Sequence, residues 1–417
     1  MKLKKVVVTL FAAGIMASPL ANATNGYFAI GYGVKSQGMG GVGIALPQDS
    51  LAAAENPAGM VMVGDRADVG VEYFKPVRTT TITGTGAGNP GAGVPASGIY
   101  NGDGTSSFFV PDAGYNKMIS ANTALGVSIY GNGGMNTNYA NNPAFGVGNA
   151  GVDLMQLFVA PTWSMKINPS NEIGISLNLA YQQFAASGLQ GFGVSTNGGP
   201  TGGNLGYDSS TGYGLHIGWL GQVSSAVSLG AMYQSKTWMG KLSTYSHLFA
   251  EQGGFDIPAT YGVGIAVKAT PDTTIAMDVQ RIEYSGVASI ANIQQPQSIP
   301  LGANNGSGFG WQNMTVYKLG VSQKVSDSLT LRAGYNHNNQ QIPTSQTLFN
   351  ILAPGVVQDH LTLGATWTLA DKSEISAGYV HAFAKTVTGV NSIPGALAGG
   401  NANLTMHEDS IMVSYGW

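Results

Sequence analysis

Between Glu172 and Gln182 apolar and polar residues alternate without a break. Ile173, Ile175, Leu177, Leu179 and Tyr181 share one face of an extended strand, and Gly174, Ser176, Asn178, Ala180 and Gln182 the other. The same alternation recurs about fourteen times, in segments of roughly nine to eleven residues, the length at which a tilted strand crosses a bilayer. It predicts strands near 67–75, 107–117, 121–131, 152–166, 172–184, 212–223, 226–236, 258–268, 273–283, 314–324, 328–338, 358–369, 373–384 and 404–417. The even count is what a single-chain bacterial barrel requires. In the last strand Ile411, Val413, Tyr415 and Trp417 oppose Ser410, Met412, Ser414 and Gly416, so the chain ends on an aromatic residue.

The links between strands alternate between short and long. Asn168 to Asn171, Ser224-Ser225, Thr270 to Asp272, Ser326-Asp327 and Ala370 to Lys372 are tight reversals of residue types whose side chains hydrogen-bond nearby backbone. Ala185 to Thr211, Thr237 to Ile257 and Ser285 to Asn313 are long, as the extracellular loops of an outer-membrane barrel are. Such loops are natural places for ligand capture or gating. Tyr73, Tyr115, Trp163, Tyr181, Trp219, Tyr233, Tyr261, Tyr317, Tyr335, Trp367, Tyr379 and Tyr415 fall on or near the apolar phase, where interfacial girdles place them.

Only 9% of the 417 residues are charged, against about a quarter in an ordinary soluble domain, yet no apolar run is long enough for a membrane helix. Strands must therefore account for the missing charge. The 61 glycines, with abundant Ser, Thr and Asn, suit a barrel interior and loops. A net charge of −3 argues against nucleic-acid binding, and the absence of cysteine removes disulfide and thiolate chemistry. Lys2, Lys4 and Lys5 precede an apolar stretch from Val6 to Met16, and Ala21-Asn22-Ala23 has the small-x-small form of a cleavage site. Residues 1–23 read as a signal peptide, the apolar run being too short for an uncleaved anchor. Signal and strands together give the outer membrane of a Gram-negative bacterium. Residues 24–65 do not alternate and are dense in glycine, with a short helical stretch from Asp49 to Glu55 that stops at Asn56-Pro57. They read as a hatch, or plug, inside a barrel spanning 66–417.

Several motifs resemble the FadL/TodX family. They are Asn25-Gly26-Tyr27-Phe28, Gly31-Tyr32-Gly33, Lys35-Ser36-Gln37-Gly38-Met39-Gly40-Gly41, Ala45-Leu46-Pro47-Gln48-Asp49 and Asn56-Pro57-Ala58-Gly59-Met60. Ile257 to Gly262, Leu331 to Asn336 with Ile342-Pro343, and the terminal strand extend the likeness over the mature chain. The resemblance implies an all-β, antiparallel barrel of about fourteen strands with an amino-terminal hatch in the lumen. It implies passive import of hydrophobic compounds, long-chain fatty acids first and toluene- or xylene-type hydrocarbons as the alternative. Ligand would be captured by loops, held in a luminal pocket and released sideways where the third strand kinks. The hatch would carry Asn56, Pro57, Ala58, Gly40 and Gly41. The kink would fall at Gly131, Gly133 and Gly134, where the plainer reading is a glycine-rich loop start. The terminal strand ending on Trp417 would be read by the barrel assembly machinery, and the protein would be a monomer among outer-membrane lipids.

For a fatty-acid carboxylate, alternation puts Lys318, Arg332 and Lys268 on the polar phase, with luminal ion pairs to Asp278 or Glu72 as the competing use. Phe28, Met39, Phe74, Leu220 and Met232 are candidates for an apolar pocket, core packing being equally open to them. No nucleophile elbow or zinc-type histidine spacing occurs, so no catalytic set, metal or cofactor is expected. A general diffusion porin is the serious competitor, disfavoured by the plug and the scarcity of charge. A purely structural barrel or adhesin is the remaining class.

Overall fold

The computed structural model describes residues 24–85, 88–89, 94–190, 205–294 and 299–417. The signal peptide expected at 1–23 lies outside them. Fourteen long strands form one closed antiparallel barrel. They are β1 Arg66–Thr83, β2 Phe108–Ser120, β3 Thr123–Tyr139, β4 Ala150–Asn168, β5 Asn171–Ser187, β6 Asp208–Gln222 and β7 Val227–Gln234. Then follow β8 Thr260–Lys268, β9 Thr273–Ile282, β10 Met314–Ser326, β11 Leu329–Asn338, β12 Asp359–Thr368, β13 Glu374–Val387 and β14 Asn401–Gly416. Each pairs with its neighbours in sequence, and β14 closes on β1 from Asp68↔Gly416 to Thr83↔Asn401. Two short strands, Gly98–Asn101 and Trp238–Met239, extend the sheet at the loop end of β1 and β6.

Closure follows from the medium. In hydrocarbon an unpaired backbone group costs several kcal/mol, so a sheet can cross only without an edge. The alternation is inverted relative to a soluble protein. In β5 Ser176, Asn178 and Gln182 are buried on the inner face, whereas Ile175, Leu177 and Leu179 point outward at 40 to 44% exposure. These outward residues face lipid.

Two strands run well beyond their expected ends. β1 continues from Lys75 to Thr83 and β3 from Gly131 to Tyr139. Both extensions lie on the long-loop side of the barrel. The short turns are held as their composition predicts. Asn168 Oδ1 accepts from Ser170 N (2.9 Å), Thr270 Oγ1 from Thr273 N (2.9 Å) and Asp371 Oδ1 from Ser373 N (3.1 Å). The aromatic residues sort by height. Trp163, Trp219, Trp367 and Trp417 lie near the short turns, with Trp219 Nε1 donating to Asn171 Oδ1 (3.0 Å), while Tyr213, Tyr233, Tyr261, Tyr317 and Tyr335 lie toward the long loops.

The outward assignment makes a quantitative prediction. Leu177→Arg on the lipid face should destabilise the barrel in lipid vesicles by about 2–4 kcal/mol, read from denaturant-induced unfolding. Unchanged stability would place Leu177 away from the bilayer.

Candidate functional site

Residues 24–64 run through the bore and are largely buried. They form three single-turn helices, Val34–Gln37, Ala52–Glu55 and Met60–Val63, with a turn of 3-10 helix at Pro57–Gly59 between the last two. Room comes from missing side chains on both surfaces. A Cβ on Gly334 of β11 would lie 2.1 Å from Gly40 N, on Gly174 of β5 2.3 Å from the Pro57 carbonyl carbon, and on Gly230 of β7 2.2 Å from Ile44 O. Gly40 and Gly41 take φ of +73° and +80°, a region glycine reaches without the Cβ penalty. Of the five expected hatch residues, Asn56, Pro57 and Ala58 lie against β5 and β6. Asn56 Nδ2 donates to Ile44 O (2.7 Å) and to Trp219 O (3.0 Å), and its Oδ1 accepts from Ala58 N (3.1 Å).

Charged side chains tie the segment to the wall. Asp278 Oδ2 accepts from Gly43 N (2.8 Å) and Ile44 N (3.1 Å). Glu374 Oε2 takes Lys35 of the segment at 2.6 Å and Arg66 of β1 at 2.5 Å, and Asp68 Oδ2 accepts from Ser50 N (3.0 Å) and Ser50 Oγ (2.6 Å). The expected carboxylate contacts are corrected here. Lys318 Nζ donates to Gly41 O (2.9 Å) and stands 3.7 Å from Glu55, while Arg332 donates to Gln48 Oε1 (3.0 Å) and Thr366 Oγ1 (2.7 Å). Lys268 is exposed at the turn end of β8, outside the bore. A buried cation must be paired, and the segment's own carbonyls and carboxylates lie closest.

The five candidate pocket residues do not converge either. Phe28 packs on Tyr27 and Tyr284 with ring centroids 5.0 and 6.0 Å away. Met39 belongs to a small cluster with Val42, Ala45, Ala266 and Ala276, and Phe74 meets Phe108. Leu220 stands opposite Glu172 near the turns, and Met232 opposite Gly218. The apolar cavity lies instead among the long loops. It measures about 50 Å³ and is lined by Phe145, Phe184, Leu248, Phe249, Phe309 and Phe349, with Ser289 and Ser307 as its hydroxyls. Below it Tyr284 Oη donates to Asn25 O (2.6 Å) and accepts from Tyr27 N (3.3 Å). Burial pushes that phenol's pKa well up. Sequence reasoning missed this cavity, because loop aromatics carry no period. Their density over residues 245–255 and 309–311 was the available signal.

At Gly131–Gly134 the wall changes. β2 and β3 pair from Ser120↔Thr123 only as far as Ala113↔Ile129, whereas β3 and β4 stay paired up to Tyr139↔Ala150. Asn132 is the extra residue of a bulge between Gly131↔Leu157 and Gly133↔Gln156. Phe108–Asp112 of β2 therefore pair with β1 alone. Six consecutive residues, 130–135, are buried, and the segment bonds them from inside. Gly134 N donates to Tyr27 O (3.0 Å) and Ala29 N to Asn132 O (3.3 Å). A Cβ on Gly133 would lie 1.7 Å from Tyr27 O. The Glu374 node yields a test of how the segment is held. Glu374→Gln should raise hydrogen exchange over residues 34–48 by at least about tenfold while leaving β5 unchanged, since breaking a largely buried pair strands its partners. Equal exchange in both proteins would remove the node from the tether.

The model of the outer membrane protein transport family (OMPP1/FadL/TodX) matches residues 20–416. No curated protein matches the chain in sequence. Among solved structures, a Pseudomonas aeruginosa FadL homologue superposes with a TM-score of 0.72 at 17% identity, covering 94% of this chain and 99% of its own. The toluene transporters TodX of P. putida and TbuX of Ralstonia pickettii each give 0.66 at 17% identity, covering 93% of this chain and 98% of theirs. At that identity the superpositions speak for the fold. The family match over nearly the whole chain and the closed, lipid-facing barrel together make this protein a member of the OMPP1/FadL/TodX family of the Gram-negative outer membrane.

Proposed function

We propose that the protein is a passive channel admitting uncharged hydrophobic molecules across the outer membrane, with residues 1–23 removed as a signal peptide and 24–65 acting as the hatch. Ligand is captured in the phenylalanine-lined cavity among the loops, passes the hatch, and leaves sideways beside the bulge at Asn132. The observation that carries this reading is the stretch Phe108–Asp112 of β2, paired with β1 but not with the β3 that has turned away from it. Binding sites for hydrophobic ligands are concave and mostly apolar, which the loop cavity matches. At about 50 Å³ the cavity is smaller than the roughly 150 Å³ that holds a benzene, so capture involves loop movement.

Uncharged permeants are favoured over the fatty acids put first by the sequence. Lys318 and Arg332 are bonded to Gly41 and Gln48, so neither is free to meet a carboxylate while the hatch is in place. These side chains favour an uncharged substrate, whereas the toluene transporters share only the architecture. A fatty acid would be served by the same wall if hatch movement released Lys318. The long plug through the bore speaks against an open diffusion porin.

The test is uptake of radiolabelled toluene, oleate and a small sugar by cells lacking other hydrophobic channels, with and without this protein. Toluene should enter faster with the protein than without it. Deleting Asn132 removes the bulge while keeping β3 in register with β4, and should return toluene uptake to the channel-free rate. Oleate uptake in place of toluene would establish the fatty-acid reading. Faster sugar uptake with neither hydrophobe accelerated would establish the porin.

A further inference from the structure

On the inner face of β6, His216 is fully buried, and neither of its ring nitrogens has a hydrogen-bond partner. Its neighbours Leu215 and Ile217 point to lipid, so the imidazole is aimed into the bore. It stands opposite Ser176 of β5 and Gln234 of β7. One inward position nearer the loops, Gly214 stands opposite Asn178, and a Cβ on this glycine would lie 2.8 Å from Thr237 Oγ1. Asn178 and Thr237 are fully buried too, and Asn178 Oδ1 and Thr237 Oγ1 have no partner. Asn178 Nδ2 is already donated to Gln234 Oε1 (3.0 Å), which leaves the carbonyl end of that amide as the free one. Four polar atoms around Gly214 and His216 are thus desolvated and unsatisfied, a rare and costly condition in a folded chain.

The adjoining inner wall is built differently. Asn132 Nδ2 donates to Gln156 Oε1 (3.2 Å), Gln156 Nε2 to Gln182 Oε1 (3.2 Å), and Gln182 Nε2 to Ser210 Oγ (3.0 Å) and Phe255 O (3.1 Å). Each side chain of that ladder finds a partner, and the four atoms of the His216 cluster do not. The cluster also lies on the way from the cavity to the hatch. Above it, Thr237 N donates to Ile257 O (2.9 Å), and the Phe255 ring lies 4.9 Å from that of Phe249, a lining residue of the loop cavity. Below it, a Cβ on Gly218 would lie 1.8 Å from Asn56 Oδ1 of the hatch.

We propose that His216, Asn178 and Thr237 form a luminal subsite for a neutral hydroxyl group, selecting phenols and alcohols among the hydrophobic molecules that the channel admits. The assignment rests on the channel reading above and adds a substrate class to it. A neutral imidazole offers one donor and one acceptor, the amide oxygen accepts, and the threonine hydroxyl does both. A hydroxyl group, which donates and accepts at once, satisfies this set. A carboxylate, acceptor only, would meet the Asn178 oxygen unfavourably, and a plain hydrocarbon would leave all four atoms unpaired. An ordered water carries the same O–H chemistry, and the experiment separates the two sources.

The experiment compares uptake of p-cresol and toluene, which differ by one hydroxyl, in cells lacking other hydrophobic channels. These cells carry the wild type, His216→Leu or Thr237→Val, with folding checked by heat-dependent gel mobility. After subtraction of the channel-free rate, the cresol-to-toluene ratio should fall by about tenfold in each variant, the effect of one lost hydrogen bond in a desolvated site. Thr237→Val nearly keeps the side chain's shape, so it reports on the hydroxyl even if the larger change at His216 prevents assembly. A ratio unchanged in every folded variant, with both compounds still entering through the protein, means that the cluster holds only water and overturns the subsite while the channel reading stands. If neither compound enters faster than in channel-free cells, the channel reading falls and the subsite with it.

Discussion

In a bilayer every backbone N–H and C=O must find its partner inside the protein, and the rest of this structure follows from that requirement. It forces the sheet to close along β1 and β14. It also makes the interruption between β2 and β3 informative. Where β3 leaves the wall, its backbone is taken up from inside by Tyr27 and Ala29, and from the loop side by Gly102 and Gly104, which exchange hydrogen bonds with Asn138. The hole in the ladder and the segment in the bore are therefore parts of one solution. The segment cannot shift near Tyr27 without exposing groups on β3.

Closure fixes the inside as well. Once the apolar face of each strand belongs to lipid, the bore receives the polar face, and a segment threaded through it must be held by polar contacts at close range. Glycines at facing positions allow the backbones to approach, as at Gly40 and Gly334. The few charges are then used in pairs or against backbone: Glu374 with Lys35 and Arg66, Lys318 with Gly41 and Glu55, and Asp278 with the amides of Gly43 and Ile44. A buried charge without such partners would be costly, and these side chains find theirs in tying the segment to the wall.

The sequence by itself determined the strands, their number, the alternation of short and long connections and the membrane setting. These properties repeat locally: a period of two in side-chain direction, a fixed membrane thickness and turn residues that bond their own backbone can each be read within a dozen neighbouring residues. Asn56-Pro57-Ala58 and Gly131 to Gly134 were legible as special positions for the same reason, since proline and glycine mark backbone geometry wherever they stand. Only the tertiary structure decided what those positions touch and what the luminal residues do. Lys318 and Arg332 were placed correctly on the polar phase, yet alternation gives a direction and not a partner, and the partners, Gly41 and Gln48, lie nearly three hundred residues away in the chain. The loop cavity of Phe145, Phe184 and Phe249, and the group formed by Asn178, His216 and Thr237, have no period to announce them. Residues from distant strands and loops meet there only because the barrel closes.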